Sequence, residues 1–292
     1  MKKFCVIVSL LIASLSSGFS QEAAEKPATE KPRSTNDGII IDGYNKYSVR
    51  PIHESDIMYK RSVVRTLDLR EPQNRPLFST NRQITKLLID AVRKGLITPY
   101  NNDSLDLGRK LSIQEFNERM RMPSEAAVLT EEEKQIALAN GDSSVLAGGG
   151  DADYLPQNLY QMNIKEDFIF DKQRSRQYFD IQSLTMSVPS DLPSNKKAIE
   201  TVVASFMYKE LVEKLFKDNP SAIWFNRQND REHKNLADAF ELRLFSSYIV
   251  KVSNPEDSYL VDIYGGDQYK GILASQWAAF SLMEYEHNLW EF

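Results

Sequence analysis

The chain has a single cysteine in 292 residues, and Cys5 sits inside the first apolar stretch, Phe4–Ala13. A lone thiol makes no intrachain disulfide and no thiolate metal cluster. If this stretch is removed on export, the remaining chain also has no cysteine nucleophile. Histidine is nearly as scarce. His53, His233 and His287 lie in separate segments, without the H-E-x-x-H pair that sets two ligands on one helix face. No later apolar run reaches the roughly 18 residues of a membrane-spanning helix. Neither a G-x-S-x-G elbow nor a G-x-x-x-x-G-K-[ST] phosphate loop occurs. The glycines at 148–150 lie in a polar spacer, which makes them a poor phosphate cradle. Positive charge is outweighed, 36 Lys and Arg against 41 Asp and Glu, which argues against nucleic acid as a partner.

The chain opens on an export signal. Lys2 and Lys3 form a basic start, a short apolar core follows, and Gly18 and Ser20 are the small residues of a cut expected after Ser20. Cys5 is not at the new N-terminus, so a direct lipid anchor is not expected. Residues 21–37 carry prolines and charges but no large apolar side chain and read as a flexible leader. Residues 123–157 form a second weak zone. There Thr130 and Glu133 predict a capping box and a short helix to about Asn140, ahead of the flexible "GGGDAD". The expected organisation is a signal peptide at 1–20, a leader at 21–37, an N-terminal α+β block at 38–122, a spacer with a short helix at 123–157, and a C-terminal α+β block at 158–292.

In the first block, alternation over 61–70 predicts a strand with Val63, Arg65, Leu67 and Leu69 on one face. Asp68 and Arg70 share the other face and are placed to pair. Thr80 with Gln83 predicts the start of a helix whose stripe is Ile84, Leu87, Leu88, Ala91 and Val92, ended by Gly95. "LITPY" reads as a short strand, and Ser112 with Glu115 predicts a second capped helix. In the second block, strands are expected near 164–171 and 178–188. Residues 200–217 read as a buried central strand and then a helix, breaking near Tyr208, with one long helix as the alternative. Ile272, Leu273, Gln276, Trp277, Phe280 and Met283 or Glu284 give the last helix a wide apolar face. The expected fold class is α+β, with a small mixed or antiparallel sheet in each block and helices packed on one side.

Three sets of residues are candidates for function. Asp230, Glu232 and His233 crowd the start of "NDREHKNLADAFELRLFSSYIVK" (229–251). Asn229 or Asp230 is a natural N-cap for a helix with Leu236, Ala237, Phe240 and Leu244 buried. The same acids and His233 could instead serve a metal-dependent hydrolase, although a metal needs three or four converging ligands. The "IWF" cluster at 223–225, with Tyr259 and Tyr264, could stack on cell-wall sugars. Arg61, Arg65, Arg70, Arg75 and Arg82 form a dense basic run, either a solvated face or an edge that meets an acidic partner. With Phe245 and Tyr248 they make the candidate partner interface. No catalytic residue, cofactor or metal site is assigned.

Four stretches, "VVRTLDLREPQNRPLF", "ITKLLIDAVRKGLITPY", "AIWFNRQNDREHKNLADAFELRLFSSYIVKVSNP" and "EYEHNLWEF", resemble the gliding motility family GldN, also called PorN. The likeness runs over about residues 40 to 292, apart from the spacer at 141–157. It implies a non-enzymatic periplasmic component of the type IX secretion system. The implied partners are the outer-membrane lipoprotein GldK or PorK, the inner-membrane-anchored GldM or PorM, and further copies of itself in a ring. No catalytic residues come with the resemblance.

Overall fold

The computed structural model describes residues 40–101, 109–122, 153–195, 199–217 and 219–288. The signal, the leader, the Thr130–Glu133 cap, the glycines at 148–150, Trp290 and Phe292 lie outside the described residues. In chain order the strands are β1 (Ile40–Ile41), β2 (Tyr44–Asn45), β3 (Ile57–Asp68), β4 (Gln161–Asp171), β5 (Arg176–Val188), β6 (Thr201–Met207), β7 (Ile223–Trp224), β8 (Lys234–Asn235) and β9 (Tyr248–Val252). The helices are α1 (Ile84–Arg93), α2 (Ile113–Met120), α3 (Tyr208–Glu210, continued by a π turn over Leu211–Phe216), α4 (Leu236–Glu241), α5 (Leu260–Ile263) and α6 (Gln268–Asn288). The fold is α+β.

One antiparallel sheet of five strands, in the order β6-β5-β4-β3-β9, organises these elements. It takes β3 from the first block and the other four strands from the second. The sheet is therefore shared between the blocks, where one in each was expected. The reason is local: a twelve-residue strand cannot leave both edges unpaired, and β4 pairs with β3 from Ile57↔Asp171 to Asp68↔Gln161. Side chains alternate across the sheet. Val63, Leu67, Met162, Ile164, Phe168, Leu184 and Met186 occupy one face, all buried. Each contributes about 1.5–3 kcal/mol by leaving water. The opposite face carries cross-strand polar pairs: Thr66 donates to Asn163 at 2.7 Å, Thr185 meets Ser205 at 2.7 Å, and Ser62 donates to Asp167.

Two corrections concern the strands. β6 reads as a central strand but lies at the sheet edge. Its outer side is closed by Tyr100, which exchanges both backbone hydrogen bonds with Ser205 at 2.8 and 2.9 Å. "LITPY" contributes only these isolated bridges, at Tyr100. The apolar character of β6 on both faces reflects α2, which packs beside it. The break from strand to helix does fall at Tyr208.

Helix ends follow local chemistry in most places. Ser112 Oγ accepts from Glu115 N at 3.1 Å while Glu115 accepts from Ser112 N at 2.9 Å, completing the expected capping box of α2. Gly95 takes φ +69° and ends α1, with Leu96 N bonding back to Ala91 O. The Thr80–Gln83 box does not form. Asn81 adopts φ +65°, so the chain turns there and α1 starts at Ile84. Asp42 and Gly43, both at positive φ, turn β1 into β2, as an Asp-Gly pair does.

Most apolar side chains form one core beneath the sheet, centred on Leu67, Leu88, Phe116, Ile164, Phe206, Phe216 and Phe240. A second cluster joins Val63, Phe168, Ile249 and Val252 to Ala278 and Leu282 of α6.

Candidate functional site

The two motifs that carry the resemblance meet in space. Asn74, fully buried, donates from its amide to Asp68 O at 2.7 Å and to Ser246 O at 2.9 Å. Its side-chain oxygen accepts from Ser246 N at 2.7 Å. The loop after β3 is thus fastened to the approach to β9 across 172 residues of sequence.

The arginines of the basic run do not form one surface. Arg70 bonds Asp68 at 2.8 Å, the expected pair, but from the turn after β3 and not from a shared strand face, and it reaches Asp191. Its guanidinium lies 3.6 Å over the Tyr160 ring. Burial and a hydrogen bond to Asp191 push the Tyr160 phenol up to about 12. The same bond, together with Arg70, holds Asp191 below the usual carboxylate range. Arg75 is exposed, and among the described residues its side chain reaches Arg70 O alone, at 3.4 Å. Arg61 and Arg82 make no ion pair with a described residue. Tyr248 is half exposed on the edge strand β9. Phe245 is buried in the main core, 5.6 Å from the Phe240 ring.

Arg65 belongs to a buried ionic knot that the sequence did not reveal. Glu166, on β4, has no solvent exposure. It takes one bond from Arg65 Nε and two from Arg243, at 2.8 and 3.2 Å. Both guanidiniums stack on Phe179, at 5.7 and 4.2 Å. Arg243 reaches inward from a backbone at φ +53°. The charge pattern "NIKEDFIF", a carboxylate within an apolar strand, was the available signal. Once Glu166 is desolvated, its charge must be matched by cations at close range.

The cluster that opens 229–251 lies in a turn. The helix it was expected to cap begins later: Asn235 is the cap of α4, accepting from Ala237 N at 2.8 Å. His233 Nδ1 accepts from Asn226 N at 3.1 Å, and its ring packs 4.6 Å from Phe225. Among the described residues, no group of three or more His, Cys, Asp or Glu side chains is placed to hold a metal ion. Trp224 packs against the main core and buries its ring N–H. Tyr259 lies beneath Lys251, 5.3 Å from ring to ammonium.

A long exposed apolar stripe runs along α6. Its inner face is built of Gly271, Ala274, Ser275, Ala278 and Leu282, side chains small enough to let the helix lie close to its neighbours. A Cβ on Gly271 would stand 2.6 Å from Val261 Cγ2, so only glycine fits there without a shift. The outer face carries Tyr269, Ile272, Leu273, Trp277, Phe280 and Met283, between 46% and 71% exposed. Their spacing places them on one stripe. At about 200 Å² for a large side chain, this stripe offers roughly 700 Å² of apolar surface. That exceeds the 300–600 Å² or so of the largest patch on a typical monomer and approaches the ~800 Å² that each partner gives a standard interface. Among the described residues, no helix is long and apolar enough to cross a membrane.

A family model described as "Gliding motility associated protein GldN" matches residues 52–291. No curated protein matches the chain significantly. The matched span takes in the five-stranded sheet, the Asn74–Ser246 fastening and α6, and the chain belongs to the GldN family of the gliding motility and type IX secretion machinery.

Proposed function

We propose that the protein is a non-enzymatic ring subunit and adaptor of the type IX secretion machine. It works in the periplasm, is held to the outer membrane by the lipoprotein GldK or PorK, and contacts the motor component GldM or PorM. The observation that carries this reading is the outer stripe of α6. Six large apolar side chains stand in water on a helix whose other face is already packed, and such a surface gains free energy only when a partner covers it. We assign that cover to the lipoprotein. Family membership supplies the machine, and the stripe supplies a surface of the size that stable assembly needs. The Trp277→Asp, Phe280→Asp double variant tests it. Both positions are mostly exposed, so the fold should change in stability by less than about 1 kcal/mol. The lipoprotein should no longer co-purify, and secretion should fail. Normal co-purification and secretion by this variant would overturn the assignment.

A further inference from the structure

A second surface lies on β5. β5 pairs with β4 over almost its whole length, but with β6 only from Ser183 to Val188. The stretch Arg176–Gln182 therefore has a strand neighbour on one side alone. Among the described residues, the backbone of 177–181 forms no hydrogen bond to a second strand; Asp180 O accepts only from the Gln182 side chain, at 3.3 Å. Beside this open edge is a cleft of about 520 Å³. Its apolar wall comes from Ile52, Phe179, Ile181, Tyr208, Val212 and Phe240.

The charges of the cleft are selective. Its three arginines are all engaged: Arg50 with Glu241, Arg174 with Asp171 at 2.8 Å, and Arg243 with Glu166. Asp180 is the lining carboxylate that makes no ion pair with a described residue. It accepts a hydrogen bond from the neutral Gln182 amide at 2.8 Å, and the Ser48 hydroxyl also favours its charged form. Burial pushes its carboxyl up to about 6, with Asp167 adding to the rise and Lys60 opposing it. An anion would find no free guanidinium here, whereas a cation would find a poorly solvated carboxylate beside an apolar wall.

We propose that the open edge of β5 receives an extended segment of a partner protein as an added strand, with a lysine or arginine of that segment on Asp180 and its apolar side chains against Ile52 and Val212. Backbone hydrogen bonds would supply affinity, and alternating side chains would supply specificity, as in other strand additions. The inference does not depend on which partner covers α6.

The probe is an acetylated, amidated hexapeptide of alternating valine and lysine, labelled with a fluorophore and titrated into the full chain at pH 7.5. A valine–glutamate hexapeptide and a lysine hexapeptide N-methylated at every second backbone amide are the controls. The lysine peptide should bind at least tenfold more tightly than either control. Asp180→Asn, which keeps the size of the side chain and the fold, should weaken it at least fivefold. Equal binding of lysine and glutamate peptides, indifference to N-methylation, or an unchanged affinity in Asp180→Asn would each overturn the proposal. Failure of the lysine peptide to bind the full chain would do the same, whether the groove is empty or filled by the chain's own residues.

Discussion

Replacing Asn74 with alanine should unfold this protein more readily than its single lost side chain suggests. Asn74 is fully buried and serves three backbone groups: Asp68 O, Ser246 O and Ser246 N. Alanine can bond none of them. A buried polar group left without its partner costs about 1–3 kcal/mol. Some of the three will regain a partner as water enters the vacated space, so the net loss should be about 3–6 kcal/mol. For a chain of this size, about 2–4 °C of melting temperature accompanies each kcal/mol, which gives a fall of roughly 6–24 °C. Thermal unfolding followed by circular dichroism measures it. Arg75→Ala is the control, because Arg75 is exposed and makes one long bond; it should move the midpoint by less than about 2 °C. Asn74→Asp should be no milder than alanine. It retains an acceptor for Ser246 N but sets a carboxylate against two carbonyl oxygens. A midpoint for Asn74→Ala within the control's range would refute the claim that this side chain fastens the two motifs.

Phe245→Ala should cost about 3–5 kcal/mol in urea unfolding, since the ring is buried against Phe240. A near-neutral value would place that ring at an interface instead. Asp180 gives a pH signature. Its folded carboxyl is raised to about 6 by burial and by Asp167, against the opposing effects of Ser48, Gln182 and Lys60. Its unfolded value is near 3.9. The folded form therefore binds more protons in this window, and the contribution of Asp180 to stability falls by about 3 kcal/mol as pH rises from about 4 through 6. Asp180→Asn should be more stable than the parent at pH 7.5 by up to that amount and indistinguishable at pH 4; an equal difference at both values would contradict it.

What the sequence made legible was local. Ser112 and Glu115 face each other across one helical turn, Gly95 alone tolerates its left-handed end, and the switch of period at Tyr208 marks where β6 becomes helix. The features hidden from it depend on residues distant in sequence. Asn74 finds Ser246, and Glu166 finds Arg243, only after β3 and β4 have paired. The same applies to strand order. β6 looks central because it is apolar on both faces, but α2 and the Tyr100 bridge supply the cover a central position would have given. Residues 272–283 show the sharpest divergence between pattern and placement. The large side chains mark an apolar face correctly, yet the small ones choose the contact. Gly271, Ala274 and Ala278 bring the helix close to the body, and Trp277 and Phe280 are left outside. Asp180 was legible only as a charge within an apolar strand; the edge that makes it interesting exists because β6 stops short.

The most direct test of a role in assembly is a photo-crosslinking amino acid at position 277 in living cells. Irradiation should attach the chain to the outer-membrane lipoprotein, identified by mass spectrometry of the adduct. A chain that remains unattached at position 277 while the same cells secrete normally would contradict the account.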